Sequence, residues 1–215
     1  MIEFLKDALH FLYDVEGLIR WGGTFLVCVV VFVETGLFVG FFLPGDSLLV
    51  SAGIFAATGH LNLAWLLLSV SLCAVVGDQV GYAIGRKAGQ ALYRREDSLI
   101  FRRRHLERAH EFYEKYGAKT IVIARFVPIV RTFAPAVAGA ANMNYRQFVT
   151  YNVMGGLLWV WSMLLGGFWL GSAIPNISRN IHLVIGIVVL LSILPAIIEA
   201  LRIRAKKRAV VRDPG

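Results

Sequence analysis

Long apolar runs separated by short polar stretches dominate the chain, and they predict membrane-spanning helices. A helix needs about 20 apolar residues to cross a hydrocarbon core of about 30 Å. Two of the runs contain one charged residue each, Glu34 in the first and Asp78 in the second, and the other two contain none. The four runs that we predict to be transmembrane helices are 21–43, 61–84, 147–174 and 181–198.

Two further apolar segments, 44–58 and 120–143, do not fit a simple crossing. The first begins with a Pro-Gly pair and is too short to cross the bilayer as a helix. The second contains Arg125 and Arg131, which together cost roughly 5 to 7 kcal/mol at the centre of a lipid-facing helix. We therefore interpret both segments as re-entrant helical hairpins.

A weak internal repeat supports this interpretation. Ala52-Gly53 precedes Ala138-Gly139 by 86 residues, and the same offset relates the glycines at 81 and 85 to those at 167 and 171. Two halves that enter the membrane from opposite faces form an inverted repeat. The predicted fold is an all-α polytopic membrane protein with such a repeat, two oppositely oriented re-entrant hairpins, about four transmembrane helices and an N-terminal interfacial helix.

Composition and charge divide the chain into segments. With 57% hydrophobic and 17% charged residues, it has the composition of an integral membrane protein. Of the 22 Lys and Arg residues, ten lie in 86–119 and six in 202–215, and such clusters favour the cytoplasmic face. The predicted segments are an amphipathic interfacial helix (1–20), a first half (21–85), a basic cytoplasmic loop or helix (86–119), a second half (120–201) and a basic cytoplasmic tail (202–215).

The two basic segments also set the predicted orientation in the membrane. If both are cytoplasmic, the chain crosses an even number of times between them, which two crossings and one re-entrant segment satisfy. The same count puts both termini in the cytoplasm, with 44–58 entering from the outer face and 120–143 from the cytoplasmic face. The first 20 residues hold four carboxylates and two basic groups, so no cleaved signal peptide is expected. The predicted partners of the basic segments are anionic lipid headgroups, and no nucleic acid.

The broken segments indicate a polar cavity at membrane depth, because lipid cannot satisfy the backbone groups that a helix break exposes. Arg125 and Arg131 carry planar guanidinium groups suited to a phosphate, and we predict that they bind one. Glu34 and Asp46 can take up and release protons, and we predict that they are proton-coupling residues of this cavity. The alternative for these four residues is a structural ion-pair network. Supporting roles are predicted for Pro44, Gly45, Ser47, Asp78, Pro128, Thr132 and Pro135.

Enzymatic motifs find no support in the sequence. The string Gly-Asp-Ser-Leu at 45–48 also occurs in serine esterases, but no Asp-x-x-His motif follows it to supply a base. The sequence contains no His-Glu-x-x-His motif and no Walker loop. We therefore predict no catalytic activity, no metal site and no cofactor.

Three linked stretches of the chain resemble the DedA family, also called the SNARE-associated or VTT-domain family. They are Glu34 through PGDSLLVSAG, GDQVGYAIGR and ARFVPIVRTFAPAVAGAANMNYRQFVTYNVMGGLLW, and the resemblance covers about residues 22–171. It implies an inner-membrane protein with two opposed re-entrant hairpins that moves lipids between leaflets, and bacterial members include translocases for undecaprenyl phosphate. The acidic and arginine positions that are critical in the family map onto Glu34, Asp46, Arg125 and Arg131.

The leading hypothesis is a transporter that moves a phosphate-bearing lipid between leaflets and is linked to the proton-motive force. Undecaprenyl phosphate is the lipid that the resemblance favours. The alternatives are a proton- or cation-coupled transporter of a small solute, a passive phospholipid scramblase and a membrane scaffold that transports nothing.

Overall fold

The computed structural model describes residues 15–37, 45–93, 117 and 119–174. Every regular element in those ranges is an α-helix, which confirms the all-α prediction for this part of the chain. The helices are α1 (Val15–Gly36), α2 (Gly45–Ala57), α3 (Leu63–Tyr93), α4 (Lys119–Ala124), α5 (Pro128–Ala140) and α6 (Tyr145–Ala173).

Several predicted features lie outside the described residues. These are Pro44, most of the interfacial helix 1–20, most of the basic segment 86–119, the fourth crossing 181–198 and the basic tail 202–215.

The long helices α3 and α6 coincide with two of the four predicted crossings. They have 31 and 29 residues, so at 1.5 Å per residue each is more than 40 Å long. By length and composition, the stretches Leu63–Gly89 and Tyr145–Ala173 can each cross a membrane. Large apolar side chains on their outer surfaces are exposed, including Leu68 and Trp169, as expected of helices that face lipid.

A kink at Gly23 divides α1. The backbone of Gly23 has φ 51° and ψ −145°, a conformation that L side chains rarely adopt. The apolar part of the helix that is described, Trp21–Gly36, has fewer than 18 residues and is shorter than the predicted run 21–43. The kink lies close to the predicted boundary between the interfacial helix and the first crossing.

The helices α1 and α3 run in the same direction. Gly23 lies beside Leu61 at one end of the bundle, and Gly36 packs against the backbone of Gly77 near the centre. Helix α2 begins against Glu34 and returns to the start of α3. Helices α1 and α2 therefore form an antiparallel pair whose outer ends lie at the same end of the bundle.

This arrangement corrects the predicted path of the first half. A complete crossing by 21–43, followed by a separate re-entrant segment 44–58, requires α1 and α3 to be antiparallel, whereas they are parallel. The error arose because an apolar run of 23 residues was counted as one crossing, although α1 ends at Gly36.

The second predicted re-entrant segment, 120–143, is divided into two helices. The short helix α4 ends at Ala124, a turn follows, and α5 begins with Pro128 in its first turn, where a missing N–H costs nothing. Ile121 before the turn and Ala138 after it share one core cluster. Both arms of the segment therefore lie at the same end of the bundle.

Each short helix packs on the long helix of the other half. Helix α2 contacts α6 through the close approach of Gly53 and Gly167, and α5 contacts α3 near Gly85 and Gly139. An apolar core lies at each end of the bundle, one around Phe55 and the other around Tyr82 and Phe148. The short helices α2 and α5 thus begin near the middle of the bundle, between the two apolar cores.

Candidate functional site

A small pocket with a cavity volume of about 10 Å³, which is space for about one water molecule, lies in the middle of the bundle. Asp78 is near the midpoint of α3 and Trp159 near the midpoint of α6, so the pocket is at about half the length of both long helices. The residues that line it are Glu34, Thr35, Asp78, Arg125, Arg131, Thr132 and Trp159.

Arg131 joins the second half of the protein to the first. It lies in the first turns of α5, and its NH1 donates to Asp46 Oδ1 at 2.5 Å. Its NH2 donates to Glu34 Oε1, so the guanidinium bridges two carboxylates on α1 and α2. The structure therefore brings together three of the four predicted charged residues in one network.

Arg125 belongs to a separate network. It lies in the turn between α4 and α5, and its NH2 donates to Asp78 Oδ2 and Asn152 Oδ1. Asn152 in turn donates from Nδ2 to the backbone oxygen of Val75 at 3.1 Å. Arg125, Asp78 and Asn152 are all at least 95% buried, so this network ties the turn to both long helices.

Gly155 and Gly156 make room for the Arg125 side chain. A Cβ on Gly155 would lie 3.2 Å from Arg125 Cδ, and one on Gly156 would lie 3.5 Å from Cζ. The two glycines let the guanidinium reach Asn152 one turn away on the same helix.

The Glu34 carboxylate lies directly against Gly45 at the N-terminus of α2. A Cβ at position 45 would overlap the carboxylate, so the close packing of α1 on α2 requires glycine here. Among the described residues, Glu34 Oε2 has no hydrogen-bond partner, whereas Oε1 is paired with Arg131. Glu34 is 2% exposed, and Oε2 is the carboxylate oxygen that lies nearest to Gly45.

The supporting residues take different positions. Thr132 lines the pocket, Ser47 is buried near the start of α2, and Pro135 is buried inside α5 beside Gly81. Pro128 begins α5. Asp78, predicted near one end of its crossing, instead lies near the middle of α3, because that helix continues to Tyr93.

Trp159 and Asn152 were not predicted from the sequence. The indole Nε1 of Trp159 donates to Asp46 Oδ1 at 2.9 Å, and its ring lies 4.8 Å from the guanidinium carbon of Arg131. Both residues lie in an apolar run in which a single Trp or Asn looks like a packing residue. The signal that could have identified Asn152 is a polar amide at membrane depth, where hydrogen-bonding side chains need partners.

The charges of the pocket do not cancel. Glu34, Asp46 and Asp78 supply three carboxylates against the guanidinium groups of Arg125 and Arg131. The two carboxylates and two arginines that the sequence singled out as binding and proton-coupling residues do not include Asp78. With every group ionised, these five residues carry one net negative charge.

Comparisons with known proteins assign the chain to a family. The VTT domain matches residues 43–168, and protein DedA of Escherichia coli K12 is 45% identical over 218 residues, which cover 99% of this chain and 98% of that protein. The chain belongs to the DedA family. Together with the two long apolar helices, DedA-family membership identifies a membrane protein.

Two further relatives in the DedA family are named for their location. An uncharacterized membrane protein of Mycobacterium tuberculosis H37Rv is 42% identical over 191 residues, which are 87% of this chain and 83% of that protein. Inner membrane protein YqjA of Escherichia coli K12 is 35% identical over 147 residues, which are 68% of this chain and 67% of that protein. No solved structure matches the chain.

Proposed function

We propose that this DedA-family protein moves a phosphate-bearing lipid between the leaflets of the bacterial cytoplasmic membrane. Undecaprenyl phosphate is the lipid we propose, and the movement is linked to the proton-motive force. The observation that carries the proposal is Arg131, a buried guanidinium held between two carboxylates at the centre of the bundle. Arginine binds phosphate and carboxylate oxygens with the same planar pair of donors, so a lipid phosphate can replace the carboxylates.

Replacement of the carboxylates by a phosphate at Arg131 couples phosphate binding to protonation. When the phosphate takes the donors of Arg131, the carboxylates of Glu34 and Asp46 lose their cation, and leaving such charges buried and unpaired is costly. Protonation of either carboxyl removes that cost. In this mechanism Arg125 adds positive charge beside the phosphate, and Asp78 holds Arg125 in position.

The proposed architecture has two re-entrant hairpins related by an inverted repeat, one formed by α1 and α2 and the other by α4 and α5. Two backbone contacts support the repeat. Gly53 lies against the backbone of Leu164 and Phe168, and Gly139 lies against the corresponding atoms of Tyr82 and Arg86. Gly139 follows Gly53 by 86 residues, but Leu164 follows Tyr82 by only 82. The offset of 86 residues expected from the sequence therefore relates the short helices α2 and α5 to each other. The long helices α3 and α6 are related by an offset that is shorter by about one helical turn.

The parallel packing of α1 and α3 bears on the orientation in the membrane. With the basic segment 86–119 in the cytoplasm, the opposite end of α3 faces the outside, and Gly23 lies at that end. We therefore propose that α1 enters from the outer face and that α4 and α5 enter from the cytoplasmic face. A cytoplasmic C-terminus follows if 181–198 crosses the membrane.

A membrane scaffold is the second candidate, and it also has an observation in its favour. Both arginines already have carboxylate partners in the closed pocket, as a purely structural network would require. The two candidates differ in what they predict for Arg131. In a scaffold Arg131 only pairs with its carboxylates, whereas in a transporter it also binds a phosphate.

Reconstituted liposomes test the proposal directly. The movement of a labelled polyprenyl phosphate across the bilayer is measured for the wild type and for Arg131→Ala, and Arg146→Ala serves as control because Arg146 is exposed on α6. We expect Arg131→Ala to lose at least tenfold in rate while the control keeps the wild-type rate. Equal rates for all three proteins would overturn the proposal, and a protein that folds but moves neither lipid nor solute would support the scaffold. Uptake of a small solute into lipid-only vesicles would support a solute transporter instead.

A further inference from the structure

We propose that Trp159 is a positioning residue for anion binding, which holds the Asp46 carboxylate in place when Arg131 turns to a phosphate. The inference rests on the proposed function, because it takes Arg131 as the residue that binds the anion.

The first observation is that two donors share one oxygen. Asp46 Oδ1 accepts from Arg131 NH1 at 2.5 Å and from Trp159 Nε1 at 2.9 Å. If Arg131 leaves to bind a phosphate, Asp46 still has a donor, so its carboxylate is not stranded in a buried site. The indole therefore lowers the free energy needed to release Arg131 from Asp46.

The second observation concerns the face of the Arg131 guanidinium. Its carbon lies 4.8 Å from the centre of the Trp159 ring, a distance typical of a cation over an aromatic face. Guanidinium N–H groups point outward in the plane of the group. Contact with the aromatic ring orients Arg131 without occupying the donors that a phosphate needs.

The third observation is the difference in exposure within the pocket. The Asp46 side chain is 27% exposed, whereas that of Glu34 is 2% exposed. An anion that approaches Arg131 from the open side therefore meets Asp46 first. Trp159 is itself 1% exposed and lies near the middle of the long helix α6, so it holds Asp46 from a fixed position.

A matched control lies two residues further along α6. Trp161 is 46% exposed on the outer surface, so it shares the helix and the residue type with Trp159 but does not line the pocket. A change at Trp161 tests general effects of removing an indole from α6.

A spectroscopic experiment tests the inference without altering Trp159. The other four tryptophans (Trp21, Trp65, Trp161 and Trp169) are replaced by Phe, and the fluorescence of the purified protein in detergent is followed during titration. The probes are a short-chain polyprenyl phosphate, the uncharged polyprenol of the same length and inorganic phosphate. We expect a saturable change in Trp159 emission with the polyprenyl phosphate and none with the polyprenol. The same change with inorganic phosphate would identify a free oxyanion as a sufficient ligand.

A second protein keeps Trp161 as its single tryptophan and provides the reference. We expect its emission to stay constant with all three probes. Binding of radiolabelled polyprenyl phosphate to each single-tryptophan protein is measured in parallel. If the lipid binds and binding requires Arg131, but Trp159 emission does not change, the inference about Trp159 is overturned while the proposed function stands.

Trp159→Phe adds a functional readout, because it keeps an aromatic face and removes the N–H donor. We expect its apparent affinity for polyprenyl phosphate to fall about tenfold, the value of one hydrogen bond to a charged group, while Trp161→Phe binds as the wild type does. Equal affinities for the two variants would overturn the inference. Lipid binding that is unchanged in Arg131→Ala would overturn the proposed function instead, and if Trp159→Phe does not fold, the spectroscopic titration decides.

Discussion

The two arginines of the broken segment stand six residues apart and have different surroundings. Arg125 is 5% exposed and is held by one carboxylate and one amide on the two long helices, α3 and α6. Arg131 is 10% exposed and is held by two carboxylates on α1 and α2, one of which, Asp46, is partly exposed. A residue type that looks equivalent in sequence therefore anchors a turn in one place. In the other it joins α5 to α1 and α2, where we propose that a phosphate replaces the carboxylates.

The largest expected effect that separates the two sites is on stability. Arg125→Ala leaves Asp78 buried without its cation, and breaking a buried pair in this way costs roughly 3 to 5 kcal/mol. Arg131→Ala strands the buried carboxylate of Glu34 in the same way. Its total cost should still be smaller, because Asp46 is partly exposed and keeps its bond from Trp159, whereas Arg125→Ala also removes the partner of Asn152. Thermal unfolding in detergent measures both, with Arg146→Ala as the surface control. Equal losses for the two arginines would remove the distinction between the sites.

Replacing both members of the Arg125 pair sharpens the comparison. Arg125→Met combined with Asp78→Leu removes both charges and keeps apolar volume, and such replacements are often neutral or stabilising by about 1 to 4 kcal/mol. We expect the double variant to regain most of the stability that Arg125→Ala loses. If the double variant does not regain this stability, Arg125 stabilises the protein through more than its pair with Asp78. The rate of lipid transport by the double variant then shows whether Arg125 is also required for function.

The comparison also shows what the sequence could predict. Charged residues inside apolar runs are conspicuous, so Glu34, Asp46, Arg125 and Arg131 were identified without a structure. Their partners depend on the register between helices that are far apart in the chain, since Arg131 pairs with a residue 97 positions away. Local patterns hold no information about that register. Asp78 was placed near one end of its helix for a different reason, because the apolar run ends at residue 84 whereas α3 continues to Tyr93.

Helix direction was the second feature that the sequence could not provide. The lengths of apolar runs correctly predicted α3 and α6, and the Arg and Pro residues correctly predicted the break in 120–143. The direction of α1 was wrong, because apolar residues that line a buried interface look the same in sequence as those that face lipid. The contacts of Gly23 with Leu61 and of Gly36 with Gly77 together distinguish the two paths.

A smaller effect is expected at the contact between α1 and α2. Gly45→Ala places a methyl group on the Glu34 carboxylate, and overpacking of this kind typically costs about 1 to 3 kcal/mol. The displaced carboxylate also loses its geometry toward Arg131, so transport should fall with stability. Gly166→Ala is the matched control, because nothing lies within 4 Å of a Cβ there, and it should be neutral or slightly stabilising. A Gly45→Ala protein as stable and active as the control would contradict the close packing.

The smallest effect that still separates the two networks is expected at Asn152. Asn152→Ala removes a hydrogen bond to Arg125 and one to the backbone of Val75, and the loss should be about 1 to 3 kcal/mol in unfolding free energy. Arg125 keeps Asp78, so its charge stays neutralised and the Arg131 network is unchanged. The apparent affinity for polyprenyl phosphate should therefore match that of the wild type, in contrast to Trp159→Phe, which should lose affinity. If Asn152→Ala weakened lipid binding as strongly as Trp159→Phe does, the two networks would act as one site, because only a shared ligand or a shared movement would transmit the change from Arg125 to Arg131.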